Sequence, residues 1–310
     1  MEKVIVTPRS LSAGGHPLLD RIRGAGYEIV FPSPGAQPTG DQLAACIGDA
    51  VGYLAGVEKI DGALLERAGR LKVISRNGTG VDNIDLAKAS ALGIAVMRAE
   101  GANARGVAEL AFGHILSAAR RIPAADAALK AERWTREKGF ELEGKTLGLI
   151  GCGKIGKLVA GFALAFGMKV LAFDPAPASG FAPSPDFRYA GLDEIMRSAD
   201  VISLHCPPPA DGKPIVDRNF ISKLKRGAII VNTARESLVE SEAVLSALDS
   251  GILWAYTIDA FDREPPEDTA MQKHVRVIAT PHIGGFTGES VDRATGVAVD
   301  NLLQALGYRG

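Results

Sequence analysis

Residues 146–174 read TLGLIGCGKIGKLVAGFALAFGMKVLAFD. The short apolar run Leu147 to Ile150 has the length and character of a strand buried on both faces. Gly151, Gly153 and Gly156 follow at once in G-x-G-x-x-G spacing. Ile155, Leu158, Val159, Phe162, Ala163 and Phe166 then recur at helical spacing and form one apolar face. Gly167 closes that helix, and a second run, Lys169 to Phe173, ends at Asp174. Glycine permits the tight strand-to-helix turn and lets the backbone approach a pyrophosphate, while the helix N-terminus offers N–H groups to the phosphates. Asp174 stands 18 residues beyond the last glycine, where a carboxylate reaches a ribose diol. Glycine spacing alone is weak in a chain with 36 glycines; the order strand, glycines, helix, strand, acid makes it specific. The stretch predicts a dinucleotide site. An acid at position 174 repels a 2′-phosphate, so NAD is favoured over NADP.

A length of 310 residues suggests two domains. A hydrophobic fraction of 46% with 23% charged residues suits a globular protein with a substantial core. The net charge is −1, from 35 basic and 36 acidic residues, with no basic run, so neither a nucleic-acid nor a membrane partner is expected. Cys46, Cys152 and Cys206 are too scattered for a disulfide framework or zinc site, and no H-x-x-x-H pair occurs, so no metal is expected. The N-terminal MEKVIVTP runs straight into a strand-like segment, and no apolar stretch approaches a membrane span; a cytoplasmic location is expected.

Strand-like runs alternate with helix-like ones throughout. In the first 98 residues the runs at 4–7, 27–31, 50–55, 71–75 and 94–97 are separated by helical segments, one capped at Thr39. This pattern implies a mostly parallel sheet covered on both faces. A turn-like break at Gly101-Ala102-Asn103 precedes a long helix from Ala104 to Arg120, on whose apolar face His114 reads as a packed residue. Pro123 interrupts, and a polar segment carries Trp134 towards the glycine loop. Beyond Asp174, PAPASGFAPSPD reads as a surface loop. Four more strand-like runs, at 200–205, 228–232, 255–259 and 275–279, alternate with helices, and residues 289–306 form a last helix that can return to the first domain.

Ligands of doubly wound sheets sit beyond the carboxyl ends of the strands. Reading those ends in order gives the glycine loop, Asp174, then His205, Cys206 and Pro207, then Thr233, Ala234 and Arg235, then Asp259 with Glu264, and finally His282. The set GTGVDNID at 78–85, the glycine loop, VISLHCP, NTAR, IDAFDREPP and PHIGG resembles the D-isomer-specific 2-hydroxyacid dehydrogenase family over almost the whole chain. RNGTGVDNID and EPP look most like its phosphoglycerate dehydrogenase branch, which would place the chain in serine biosynthesis.

The resemblance implies a Rossmann NAD-binding domain (99–286) inserted in a flavodoxin-like substrate domain (1–98 and 287–310), both doubly wound parallel sheets. Glycine-bearing crossings near 99–103 and 284–288 would act as hinges. It implies His282 as general acid and base, Glu264 as its carboxylate partner, and Arg235 as the group that holds the substrate carboxylate. Asn77 and Gly78 match the loop whose backbone N–H groups bind that carboxylate, and Arg76 beside them is either an anion ligand or a surface salt bridge. Asp259 matches a contact to the nicotinamide amide. His205, Cys206, Pro207, Thr233, Ala234 and Gly284 match segments lining the cofactor, with Lys154 of the glycine loop also binding it and Ile155 beneath it. A homodimer through the NAD domain is also implied, using the helix from Ala104 and the segment near Trp134.

The sequence departs from the family pattern at Glu236, usually glycine, which could compete for Arg235 or narrow the entrance, and at Phe286, which could shape the pocket. A C-terminal regulatory domain with serine feedback is not expected. The activity expected is interconversion of an (R)-2-hydroxy acid and its 2-oxo acid, with 3-phosphoglycerate as the first substrate. The alternative is glyoxylate or hydroxypyruvate reduction. An NAD-sensing corepressor-like binding protein would keep the glycine loop but has no need of Arg235, Glu264 and His282.

Overall fold

The computed structural model describes residues 1–267 and 270–308. The chain divides into two compact units, residues 1–103 with 287 onward, and residues 104–286. The first carries β1 (Glu2–Val6), β2 (Tyr27–Val30), β3 (Ala50–Ala55), β4 (Val73–Arg76) and β5 (Ala95–Arg98), all parallel, in the order β2-β1-β3-β4-β5. The second carries β6 (Thr146–Ile150), β7 (Lys169–Phe173), β8 (Phe187–Tyr189), β9 (Val201–Leu204), β10 (Ala228–Asn232), β11 (Leu253–Ile258) and β12 (Val277–Ala279). Its order is β12-β11-β10-β9-β6-β7-β8, again all parallel.

These strands form because their apolar runs are buried on both sides. In the second unit Leu147, Leu149, Val201 and Val231 face one core, while Ile202, Leu204, Ile230 and Ile258 face the other. Each such side chain, fully withdrawn from water, contributes about 1.5–3 kcal/mol before the entropy of ordering is subtracted. The helix Gly288–Ala305 is capped by the Thr287 side chain and lays Ala298, Val299 and Leu302 on the first sheet, where Ser75 Oγ donates to Ala298 O at 2.7 Å.

One local expectation needs correction. Pro123 does not interrupt: it sits in the first turn of a helix, Ile122–Lys130, where its missing N–H costs nothing, and the break is made by Arg121 in a left-handed conformation at φ 56°. The edge strand β8 follows the loop after Asp174 and is only three residues long, too short to show a period. Residues 99–103 belong to the first unit, where Ala99 N–H bonds both Arg76 O and Gly78 O at 3.1 and 3.0 Å.

Candidate active site

In the second unit the strand order reverses between β6 and β9, and the glycine loop leaves β6 at that point. Its three glycines differ in kind. Gly151 has φ 94°, and a Cβ there would stand 2.5 Å from His205 O. A Cβ on Gly156 would press into the Gly151 carbonyl oxygen. At Gly153 an added Cβ meets nothing within 4 Å, so the protein's own packing does not require glycine there. Gly153 is the N-cap of the helix Lys154–Ala165 and has no side-chain cap. A dinucleotide pyrophosphate fits that cradle, because it needs both the bare backbone and the positive helix end. Asp174 is turned to the same loop, its carboxylate accepting from Cys152 N–H at 2.8 Å and Ala176 N–H at 2.9 Å. Lys154 is exposed, and Ile155 is half-buried against the core.

A direct expectation separates the glycines. Gly153→Ala should fold with an unchanged melting temperature yet bind NADH at least about tenfold more weakly, a loss of about 1.4 kcal/mol. Gly156→Ala should instead destabilise the fold by about 1–3 kcal/mol through overpacking. Calorimetric melts paired with NADH fluorescence titration check both.

At the end of β9 the His205 imidazole is held by Ser203 Oγ at 2.9 Å, so it is the residue's backbone that meets the glycine loop. Burial pushes His205 down from 6.5 to about 4 and Cys206 up to about 11, leaving a neutral imidazole and a neutral thiol. The unfolded chain takes up a proton on His205 near 6.5, whereas the folded one does so only near 4. The stabilisation is therefore complete above pH 6.5, declines as the pH falls towards 4, and declines no further below that; it is worth at most about 3 kcal/mol. His205→Gln should flatten the dependence of melting temperature on pH across that window.

The ends of β10, β11 and β12 bring the remaining candidates together. Asn232, fully buried at the end of β10, donates from Nδ2 to Arg235 O at 2.7 Å and accepts at Oδ1 from Ala234 N–H at 3.1 Å. These bonds fix the turn Thr233–Arg235 from below. Arg235 is half-buried, with Nη1 donating to Ala234 O at 2.6 Å. Glu236 accepts from Asp262 N–H at 2.9 Å, so this carboxylate ties the arginine turn to the loop that carries Glu264.

His282 Nδ1 lies 2.5 Å from Glu264 Oε1, which also accepts from Phe261 N–H at 3.3 Å. An ionised carboxylate has no proton to give, so Nδ1 carries the hydrogen and Nε2 is left to exchange a proton with a substrate. The histidine side chain is 38% exposed, and its backbone is left-handed at φ 52°. Asp259, read as a nicotinamide contact, is 2% exposed and receives three protein donors: Thr280 Oγ1 at 2.6 Å, Ile283 N–H at 2.9 Å and Gly284 N–H at 2.8 Å. It is thus a support of the His282 loop. Phe286 is 65% exposed and closes a turn by donating to Ile283 O at 2.9 Å. Asn232 and Thr280 carried no role in the sequence reading. The only available signal was a polar residue closing each apolar run.

In the first unit, Arg76 ends β4 and is buried; its Nη1 donates to Asn77 O at 2.8 Å. The backbone N–H groups of Asn77 and Gly78 are bonded to Ala55 O and Arg76 O, each at 2.9 Å. In this conformation they are committed within the protein. At the ends of β1 and β3, Glu58 is 2% exposed, and its Oε1 accepts from Tyr53 Oη at 2.8 Å, from Gly56 N–H at 2.9 Å and from the Thr7 hydroxyl. Nothing local in the sequence marks this loop glutamate as buried.

The model of the D-isomer specific 2-hydroxyacid dehydrogenase NAD-binding domain matches residues 112–284. The chain belongs to the D-isomer-specific 2-hydroxyacid dehydrogenase family. Members are NAD-dependent oxidoreductases, and the glycine cradle described above fits that cofactor. A hydroxypyruvate reductase of Thermotoga maritima is 43% identical over 254 residues, covering 80% of this chain and 82% of that protein. A D-3-phosphoglycerate dehydrogenase of Mycobacterium tuberculosis is 37% identical over 272 residues, 87% of this chain but 52% of that one, so the chain spans about half the length of that relative. The solved structure of D-lactate dehydrogenase from Aquifex aeolicus, complexed with NAD and lactic acid, matches with a TM-score of 0.82 at 28% identity. That match covers 98% of this chain and 96% of the other. Among the described residues no helix is long and apolar enough to cross a membrane.

Proposed function

We propose that this family member interconverts a short, unphosphorylated 2-hydroxy acid, of R configuration where C2 is chiral, and its 2-oxo acid, with hydroxypyruvate or glyoxylate as the acid reduced. NAD, when bound, supplies or accepts the hydride. His282 Nε2 gives the carbonyl oxygen its proton in reduction and takes it back in oxidation, and Glu264 orients the ring and stabilises its cationic form. Arg235 holds the substrate carboxylate with its planar fork, kept in place by the Asn232-pinned turn. The 2.5 Å contact between His282 and Glu264 carries the catalytic reading.

The hydroxypyruvate reductase of Thermotoga maritima, 43% identical to this chain and matched along 82% of its own length, supports an unphosphorylated substrate. The second reading, 3-phosphoglycerate, is favoured by relatives named D-3-phosphoglycerate dehydrogenase. Rates of NADH oxidation with hydroxypyruvate, glyoxylate and 3-phosphohydroxypyruvate decide between them. The account expects kcat/KM to be at least about tenfold higher for an unphosphorylated acid, a difference of about 1.4 kcal/mol. The reverse order would favour the second reading, and no turnover of any would contradict both. A homodimer through the second unit is also proposed, supported by the exposed apolar side chains Ile122, Leu129 and Trp134.

A further inference from the structure

A second histidine lies behind the His282 loop. His114, 3% exposed on the helix Ala104–Arg120, has Nε2 at 3.1 Å from Thr280 Oγ1. The Thr280 hydroxyl has one hydrogen, and it is directed at the Asp259 carboxylate 2.6 Å away. Thr280 must therefore accept in its contact with His114, and the hydrogen of that contact belongs to His114 Nε2. Nδ1 of the same ring is buried without a hydrogen-bond partner among the described residues. Burial holds the imidazole below its ordinary value against the opposing pull of Asp259, which makes this the neutral Nε2–H tautomer. A leucine would fill an apolar helix face without stranding a polar atom, so a buried imidazole with one orphan nitrogen calls for a reason.

We propose that His114 is a positioning residue for His282. Its N–H orients the Thr280 hydroxyl onto Asp259, and Asp259 in turn holds Ile283 N–H and Gly284 N–H, the two donors that follow His282. The left-handed backbone of His282 at φ 52° is thereby braced from the long helix through three side chains in series. Bonds in such a chain polarise and strengthen one another. The proposal rests on the reading of His282 as the proton-transfer group and adds the element that keeps it aimed.

His114→Leu removes the donor and keeps the bulk, whereas His114→Gln places an amide N–H near the former Nε2. With NADH and the best 2-oxo acid of the panel, the leucine variant should keep its melting temperature and its NADH affinity but lose about tenfold in kcat through misalignment of the acid. The glutamine variant should stay within about twofold of the parent, since it restores the donor. Adding His114→Leu to His282→Ala should cause no further loss, because nothing is left to aim. Full kcat in the leucine variant, equal impairment of both variants, or multiplicative losses in the double variant would overturn the proposal. Full activity of His282→Ala alone would remove the reading beneath it, and that failure is seen without touching His114.

Discussion

His282→Ala is expected to lower kcat in both directions by roughly 10²–10⁴-fold, the usual worth of a positioned acid or base. NADH affinity should be unchanged, because the glycine cradle and Asp174 lie on other strand ends, β6 and β7. The size of the effect follows from geometry. With Nδ1–H committed to Glu264, a single nitrogen is available for the substrate proton, and alanine leaves only water in its place. Glu264→Gln should give a smaller loss, because it keeps an acceptor for Nδ1–H and so still orients the ring. A rate in His282→Ala within a few-fold of the parent would mean that a different group carries the proton.

Arg235 should show the second large effect, and of a different kind. Its main chain is pinned by Asn232, so replacing the side chain leaves the turn in place. Hydrogen bonds to charged groups contribute about 1.5–3 kcal/mol, so Arg235→Leu should cost at least roughly ten- to hundredfold in kcat/KM for the 2-oxo acid. Arg235→Lys should recover little of it, since an ammonium cannot match a carboxylate with two parallel donors. Stopped-flow NADH binding should be normal in both variants. Equal losses in NADH affinity and in kcat/KM would show that Arg235 supports the cofactor side instead.

What the chain discloses before folding follows from the range of its signals. The glycine loop, Asp174 and the helix capped at Thr39 are local patterns, and the structure forms them near where the sequence places them. The candidate acid–base pair was legible because parallel sheets bring successive strand ends to one edge. The supports were not. His114 and Thr280 are 166 residues apart, and nothing near either one indicates that they share a proton. Pro123 looked like a stop because a proline in a helical run usually is one; only the left-handed Arg121 before it makes it a start. The burial of Glu58 depends on Tyr53 and on Thr7 from the end of another strand, and nothing beside it in the sequence shows this.

The claim that one imidazole, held by Glu264, moves the substrate proton is tested most directly by the pH dependence of kcat/KM in both directions on one enzyme preparation. Reduction needs the protonated ring and should fall with rising pH, while oxidation needs the neutral ring and should rise, the two limbs having opposite unit slopes. Parallel profiles, or profiles unchanged in His282→Ala, would contradict it.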